Sequence, residues 1–358
     1  MKFVGKHVMK YLSALLSLCL ILATPAMAHH GTNGQFDSTK LVTVTGVISD
    51  LAFVNPHAYV YIDVTAEDGA VTQWNCELRA SSVLRRSGWT PEMFANGTPV
   101  HIEGVMARRD AQGCYVETIS FNGGEPIARY DQLTEVQQEE LLAGRSATTA
   151  WGDPNIAGDW AAEQRLVGAI SGPNAVGGMG GPPRGGRGGV QLTEAGATYR
   201  AEMIDAEDNV AGRLDCRPRD FFSDWTFDQP SNRIVQEEDQ ITLMYGFMDT
   251  TRVIHLDMDE HPSDIEPSWA GHSIGKWEDG VLVVDTIGFT RFAGNRSTRS
   301  EQFHAVERFT LNHEEGSLTR EYMGEDPLFW AGQQTGQDVV HLADYPWEPY
   351  ACDDRSVE

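Results

Sequence analysis

Short segments in which apolar and polar residues alternate dominate this chain, and they fall into two groups. In the first group, residues 41–121, turn pairs such as Asp68-Gly69 and Asn96-Gly97 separate the segments. The segments read LVTVTGVISDLAF, AYVYIDVT, VTQWNCEL, TPVHIEGVMARR and CYVETISF. One helix is predicted over residues 81–87. Five strands with one helix predict a small OB-like β-barrel.

The second group begins at Gly158-Asp159-Trp160 and continues towards the C-terminus. Its further segments read NRIVQEEDQ, ITLMYGF, TRVIHLD, HSIGKWEDGVLVVDTIGF, FHAVERFTL, SLTREYM and DVVHLADY. Successive hairpins, with turns such as Glu278-Asp279-Gly280, predict an antiparallel up-and-down barrel. The Gly-x-Trp start is similar to the first strand of lipocalin-like barrels. We therefore predict an all-β protein with a few short helices, in which a small OB-like barrel precedes a lipocalin-like antiparallel barrel.

The predicted boundaries follow from these groups and from the composition between them. They are a signal peptide at residues 1–28, an OB-like barrel at 29–127, a helical connector at 128–155 and a lipocalin-like barrel at 156–358. Residues 171–189 are rich in Gly and Pro and are predicted to be a flexible loop, because this composition does not build a core. A short helix is expected to begin at Thr193.

The N-terminus has the pattern of a cleaved leader. Lys2, Lys6 and Lys10 precede an apolar run at residues 11–23, and Ala26-Met27-Ala28 supplies the small residues that a signal peptidase accepts. The run is shorter than the roughly 20 residues that a membrane-spanning helix needs. We predict a cut after Ala28 and a periplasmic or secreted protein without a membrane span.

The formal net charge of −25 argues against two classes of partner. An acidic surface repels nucleic acid and anionic membranes, so neither is expected to bind. The leader carries lysines and no acidic residue, so its removal makes the charge more negative.

Four cysteines remain after Cys19 leaves with the leader, and in an oxidising compartment they allow three pairings. No CxxC motif points to a redox or zinc site. The pairing that keeps each bridge within one predicted domain is Cys76–Cys114 with Cys216–Cys352.

Both halves of the chain resemble exported families without a settled activity. The first half resembles a family of exported bacterial domains of unknown function through His29-His30, Phe36-Asp37, Gly46-Val47, Asn55-Pro56-His57, Trp74, Glu77 and residues 84–89. The second half resembles another uncharacterised exported family through residues 252–257, His261-Pro262, residues 268–278, residues 282–289 and residues 304–309. These resemblances imply architecture and export rather than chemistry.

A metal site is one candidate function at the new N-terminus. Cleavage after Ala28 gives His29 a free α-amine, which together with its imidazole Nδ1 can chelate copper or another divalent transition metal. His30 and His57 would add imidazoles, and Asp37 an oxygen. The alternative is a polar N-terminus with His57 hydrogen-bonded inside its own turn.

A second candidate site lies in the C-terminal strands. Alternate residues of a strand share a face, so Asp285 shares an apolar row with Val283 and Ile287, and Glu307 one with Phe309. If these rows face the barrel interior, burial raises the pKa of the carboxylates. With His255 and His272 they would then perform acid–base chemistry. The alternative is structural pairing of the carboxylates with Arg252, Arg308 or Arg320.

Trp269, Trp277 and His304 are the candidate ligand-binding residues, although both tryptophans also fit the barrel core or rim. The leading functional hypothesis is an exported protein that binds a small apolar molecule in its C-terminal barrel. The alternative is an isomerase, lyase or hydratase acting on a lipophilic molecule there. Neither a Gly-x-Ser-x-Gly nor a His-Glu-x-x-His motif supports hydrolase or zinc-protease chemistry.

Overall fold

A computed structural model describes residues 35–134, 138–162, 190–203, 216–218, 220–227, 230–293, 297–343 and 345–353. The predicted signal peptide, with His29 and His30, and the predicted Gly/Pro-rich loop lie outside these residues. The first six strands are β1 Phe36–Ala52, β2 Tyr59–Thr65, β3 Val71–Glu77, β4 Pro99–Ala107, β5 Gly113–Phe121 and β6 Ile127–Ala128. Helix α1, Ser81–Arg86, and a 3-10 turn, Pro91–Phe94, connect β3 to β4.

The first five strands close into the small barrel that the alternation predicts. β2 and β4 flank β1, β5 follows β4, and β3 returns to β5. Every neighbouring pair is antiparallel except β3 and β5, which run parallel. An odd number of strands cannot alternate direction around a closed ring, so one parallel pair is required.

Alternate residues of these strands fill the small barrel. Val44, Ile48, Val60 and Ile62 are buried in one cluster, and Trp89 packs against it. A disulfide joins Cys76 to Cys114, which lie opposite each other in the β3–β5 pair. The predicted pairing of these cysteines is confirmed.

The C-terminal region forms a closed nine-stranded barrel in which each strand pairs with its neighbours in the chain. Its strands are β7 Gly158–Ala162, β8 Asn232–Gln236, β9 Gln240–Met244, β10 Thr251–His255, β11 His272–Glu278, β12 Val281–Ile287, β15 His304–Asn312, β16 Ser317–Glu325 and β17 Gln333–Leu342. β17 pairs with β7 and closes the ring. A separate hairpin consists of β13 Phe292–Ala293 and β14 Thr298–Arg299.

The odd strand number again has a consequence, because β10 and β11 run parallel while the other neighbouring pairs are antiparallel. Parallel neighbours need a long crossover connection instead of a hairpin. Residues 256–271 form it, and we call them the crossover loop. Its Ile265 packs against the end of β12, where a Cβ added to Gly288 would lie 2.5 Å from Ile265 Cγ2.

Buried side chains of the described strands meet inside the barrel. Ile234, Leu243, Leu282 and Phe309 pack there with Trp160, whose indole N–H donates to the Ile156 carbonyl oxygen at 2.8 Å. On β12 the buried residues are Leu282, Val284 and Thr286, while the residues between them are half-buried. The first set therefore faces inward, and the second lies on the outer wall.

The remaining helices are α2, Gln138–Leu142, within the predicted connector, and α3, Glu194–Met203. The hydroxyl of Thr193 accepts from the Gly196 amide at 3.1 Å, which caps α3 where a helix start was predicted. No helix in the described part of the chain is long and apolar enough to span a membrane.

The C-terminal tail runs between the two barrels. A second disulfide, Cys216–Cys352, holds the tail and confirms the other predicted pairing. The Asp353 amide donates to the Asn55 carbonyl oxygen at 2.7 Å. Arg86 of the small barrel donates to the Ala162 carbonyl oxygen at 2.9 Å, so a direct hydrogen bond connects the barrels.

Candidate active site on the outer barrel wall

A cluster of imidazoles and carboxylates lies on the outer wall, beside the crossover loop. β10, β11, β12 and β15 contribute His255, His272, Asp285 and His304 from outward-facing positions. The crossover loop contributes His261. We call these five residues the wall cluster. Beside them, Lys276 Nζ of β11 lies 2.7 Å from Asp259 Oδ1 of the crossover loop.

Asp285 is the centre of the wall cluster, because each of its carboxylate oxygens meets an imidazole. Oδ1 lies 2.9 Å from His261 Nε2, and Oδ2 lies 2.8 Å from His304 Nε2. The His261 ring continues the chain, since its Nδ1 lies 2.9 Å from His272 Nδ1. The hydrogen-bonded sequence therefore runs from His304 through Asp285 and His261 to His272.

His304, at one end of this sequence, faces a carboxylate with each of its ring nitrogens, which favours its protonated form. Its Nε2 faces Asp285, and its Nδ1 lies 3.3 Å from Glu325 Oε1, a residue directly opposite on β16. A carboxylate only accepts hydrogen bonds, so both contacts are hydrogen bonds when both ring nitrogens carry a proton. The hydrogen bond to Asp285, reinforced by Glu325, raises the pKa of His304. In return, the hydrogen bond from His304 lowers the pKa of Asp285, with a smaller contribution from His261.

The other end of the sequence has a defined tautomer when His261 and His272 are both neutral. Asp285 requires the His261 proton on Nε2, so His261 Nδ1 is an acceptor. His272 must then donate through its own Nδ1. Its Nε2 is left with a lone pair, the form of imidazole that acts as a general base.

Burial lowers the pKa of His272, and the neighbouring rings of His255 and His261 lower it further. The His255 ring stacks on that of His272, with centroids 5.1 Å apart and an angle of 15° between the planes. His272 therefore stays neutral to lower pH than an isolated histidine.

Glu307, the other predicted catalytic carboxylate, lies apart from the wall cluster and inside the barrel. Its oxygens lie 2.7 Å from Arg252 Nη2 and 3.0 Å from Arg320 Nη1, and all three side chains are at most 1% exposed. Burial alone raises the pKa of Glu307, but the two arginines reverse this and leave it lowered. The expected elevation of the Glu307 pKa is therefore wrong, and the arginine pairing weighed as the alternative describes Glu307. The condition for an elevated Asp285 pKa, a place in the barrel interior, is not met, and the pKa of Asp285 is lowered.

The predicted ligand-binding residues lie in three places. His304 belongs to the wall cluster. Trp269 lies on the crossover loop, with its ring 4.7 Å from that of Phe292. Trp277 is partly buried against the core of the barrel. The structure thus unites Asp285, His255, His272 and His304, and separates both tryptophans and Glu307 from them.

The predicted oxygen ligand Asp37 lies within the described residues, where its Oδ2 is 3.3 Å from Arg108 Nη1. Of the predicted histidine ligands, only His57 lies within them. Its Nδ1 is 3.3 Å from Oε1 of the buried Glu77, which also lies 3.5 Å from Arg129 Nη2. Among the residues that the structure describes, no group of three or more His, Cys, Asp or Glu is arranged to hold a metal ion.

Residues 17–115 match the model of a family of unknown function, DUF6152. The matched segment includes β1 to β4 and the first residues of β5. It stops before the C-terminal barrel that carries the wall cluster. No curated protein matches the chain.

Two residues at the wall cluster, His261 and Glu325, are not among the site residues predicted from the sequence. His261 follows no strand periodicity, since it lies in the crossover loop, and Glu325 lies opposite His304 on another hairpin strand. The local signal for His261 is its place between two histidine-bearing strands, in His255-Leu256-Asp257-Met258-Asp259-Glu260-His261.

Proposed function

We propose that the wall cluster is the active site of an acid–base enzyme of the isomerase, lyase or hydratase type. His272 is the general base, His261 fixes its tautomer, and Asp285 orients His261. The observation that carries the proposal is the continuous pair of 2.9 Å contacts from Asp285 to His261 and from His261 to His272. In a carboxylate–imidazole–imidazole sequence of this kind the hydrogen bonds fix the tautomers, so that the unprotonated nitrogen of the last ring is one defined atom, His272 Nε2.

The substrate is placed on the outer wall beside the crossover loop. Buried aromatic and aliphatic side chains and the Glu307 ion pairs lie in the interior of the described barrel, whereas the imidazoles of the wall cluster lie on its outer face. Val283 and Ile287, half-buried on the same outer face of β12 as Asp285, provide apolar surface beside the wall cluster. The proposed substrate is thus a small molecule with an apolar part and a C–H or O–H proton that a neutral imidazole can remove.

Proton abstraction can be tested without knowing the physiological substrate. A panel of small ketones and hydroxy acids is incubated with the protein in D₂O, and exchange of the protons next to the carbonyl or hydroxyl group is followed by NMR. Exchange catalysed by the wild type is expected to fall by about 10²-fold or more in His272→Gln, since general-base catalysis contributes on the order of 10²–10⁴.

The matched control is His101→Gln, which removes an imidazole paired with Thr45 on the small barrel. This variant should retain the wild-type exchange rate. Equal rates in wild type, H272Q and H101Q would contradict the proposal, as would a panel in which no compound exchanges faster than without protein.

We also propose that the protein is exported and that its mature N-terminus binds copper, and each of these claims is tested separately. Two disulfides support an oxidising compartment outside the cytoplasm. Mass spectrometry of the mature protein should give a chain that begins at His29. Copper titration of that chain tests chelation by His29, His30 and His57, and equal affinity in a form with one extra N-terminal residue would contradict it.

A further inference from the structure

Arg299 is a buried arginine that the proposed function does not use. It lies on β14, opposite Phe292 of β13, and its side chain is 1% exposed. Arginines are rarely this buried unless their donors and charge are matched. Its environment therefore indicates what the side chain is arranged to bind.

Aromatic rings cover the guanidinium of Arg299. Its Cζ lies 4.1 Å from the ring centroid of Trp269, 4.7 Å from that of Phe289 and 5.7 Å from that of Phe303. Such contacts favour the cation through the faces of the rings, but they leave the N–H groups unpaired. We call this arrangement the Arg299 box.

Only part of the hydrogen-bonding capacity of Arg299 is used. Nη2 donates to the Trp269 carbonyl oxygen at 2.8 Å. Nε and Nη1 are buried and have no hydrogen-bond partner among the residues that the structure describes. Buried donors without partners cost free energy, so an acceptor that hydrogen-bonds to these N–H groups lowers the free energy of the protein.

Three carboxylates near the box act on Arg299 through space. Asp220, Asp224 and Asp326 raise the pKa of Arg299, but burial outweighs them and leaves it lowered to about 10. The oxygens of Asp326 accept from the Ser300 amide and hydroxyl and from the Phe329 amide instead. None of the three aspartates accepts a hydrogen bond from Nε or Nη1 of Arg299 in the described part of the chain.

We propose that the Arg299 box binds the carboxylate of a small aromatic acid, through Nε and Nη1 of Arg299. Charge-assisted hydrogen bonds from a guanidinium suit the planar carboxylate, and the ring of the ligand packs against the aromatic side chains of the box. Entry is past Trp269 and Phe292, the half-buried members of the surroundings. This site is independent of the wall cluster and does not rest on the proposed acid–base function.

The test uses benzoate as the probe and the full exported protein, with binding measured by isothermal titration calorimetry. Benzoate is expected to bind saturably at millimolar concentration, and benzamide, of the same shape without the charge, at least about tenfold more weakly. Arg299→Lys should weaken benzoate about tenfold, because a point charge replaces the planar donor group. Arg299→Met should abolish binding.

The matched control is Arg291→Lys, at an exposed arginine that pairs with Glu301 at 2.8 Å. It should bind benzoate as the wild type does. If Arg299→Met does not fold, R299K and the benzoate–benzamide comparison still decide. No saturable binding of benzoate, equal binding of benzamide, or unchanged affinity in R299K would each overturn the proposal.

Discussion

Replacement of Glu307 by glutamine should destabilise the protein strongly, although the change removes no atoms from the core. Glu307 is the shared partner of Arg252 and Arg320 inside the barrel, at 2.7 and 3.0 Å. The amide leaves Arg252 as a buried cation without a counter-charge, whereas Arg320 keeps Asp338 at 2.6 Å. Breaking a buried pair on one side costs about 3–5 kcal/mol.

The matched control is Glu278→Gln on the barrel surface. Glu278 lies 3.7 Å from Arg308, and both side chains are about half exposed. Exposed pairs of this kind contribute about 0–1 kcal/mol. Urea denaturation followed by circular dichroism at neutral pH should therefore separate E307Q from E278Q by about 3 kcal/mol, which corresponds to a midpoint difference of about 1 M or more.

The dependence on pH has a definite sign. Because the folded-state pKa of Glu307 is lowered, its contribution is present above the unfolded-state pKa of about 4.3 and is lost as the pH falls through the folded value. The gap between wild type and E307Q should therefore narrow in acid.

If E307Q does not fold, the pair of changes Arg252→Met and Glu307→Leu tests the same reasoning. It removes both charges together and leaves Arg320 with Asp338, so part of the lost stability should return. Equal stability of E307Q and E278Q, or a double variant less stable than E307Q, would refute the ion-pair account.

Two further predictions concern His304 and the C-terminal tail. The pKa of His304 is raised in the folded state, so its contribution to stability is full below about pH 6.5 and is lost as the pH rises through the folded value. The difference in unfolding free energy between wild type and His304→Gln, measured in urea, should therefore be larger at about pH 6 than at about pH 9. A difference independent of pH would be evidence against the pairing of His304 with Asp285 and Glu325. The Cys216–Cys352 bridge closes a sequence separation of 136 residues, so replacing both cysteines by serine should lower the free energy of unfolding by about 2–5 kcal/mol and expose the tail to proteolysis. An unchanged cleavage pattern in limited proteolysis, read by mass spectrometry, would show that the Asn55 contacts hold the tail without the bridge.

Much of the fold follows from alternation and turns. The strands of the small barrel and the long C-terminal hairpins are predictable because alternation and turn residues are local patterns. The start of α3 at Glu194 is predictable in the same way, from the capping residue Thr193. The disulfide pairing is predictable because each pair lies within one β-rich group. Alternation also predicts correctly that Glu307 shares a face with Phe309, and both are buried.

The direction in which Asp285 faces is not predictable by the same reasoning. β12 carries apolar residues on both faces, with Leu282 and Val284 buried inside and Val283 and Ile287 half-buried outside. In a strand with one solvent-exposed face, apolar and polar residues alternate. Apolar residues on both faces therefore indicate a strand that is covered on both sides. The crossover loop packs against the end of β12, where Ile265 meets Gly288.

The wall cluster itself depends on closure of the ring. Nine strands require one parallel pair, and the crossover that joins this pair brings His261 to the outer wall. Neither the number of strands nor their closure is a local property of the sequence. The hydrogen bonds that set the His272 tautomer arise from this long-range arrangement, and periodicity along single strands does not contain it.

The tautomer of His272 decides whether this residue is the general base. Long-range ¹H–¹⁵N NMR of the imidazoles, recorded through a pH titration, reports which ring nitrogen of neutral His272 carries the proton. We predict a proton on Nδ1, an unprotonated Nε2 and a pKa below that of ordinary histidine. In Asp285→Asn we predict a mixture of tautomers. A neutral His272 protonated on Nε2, or a tautomer unchanged by Asp285→Asn, would contradict the proposed base.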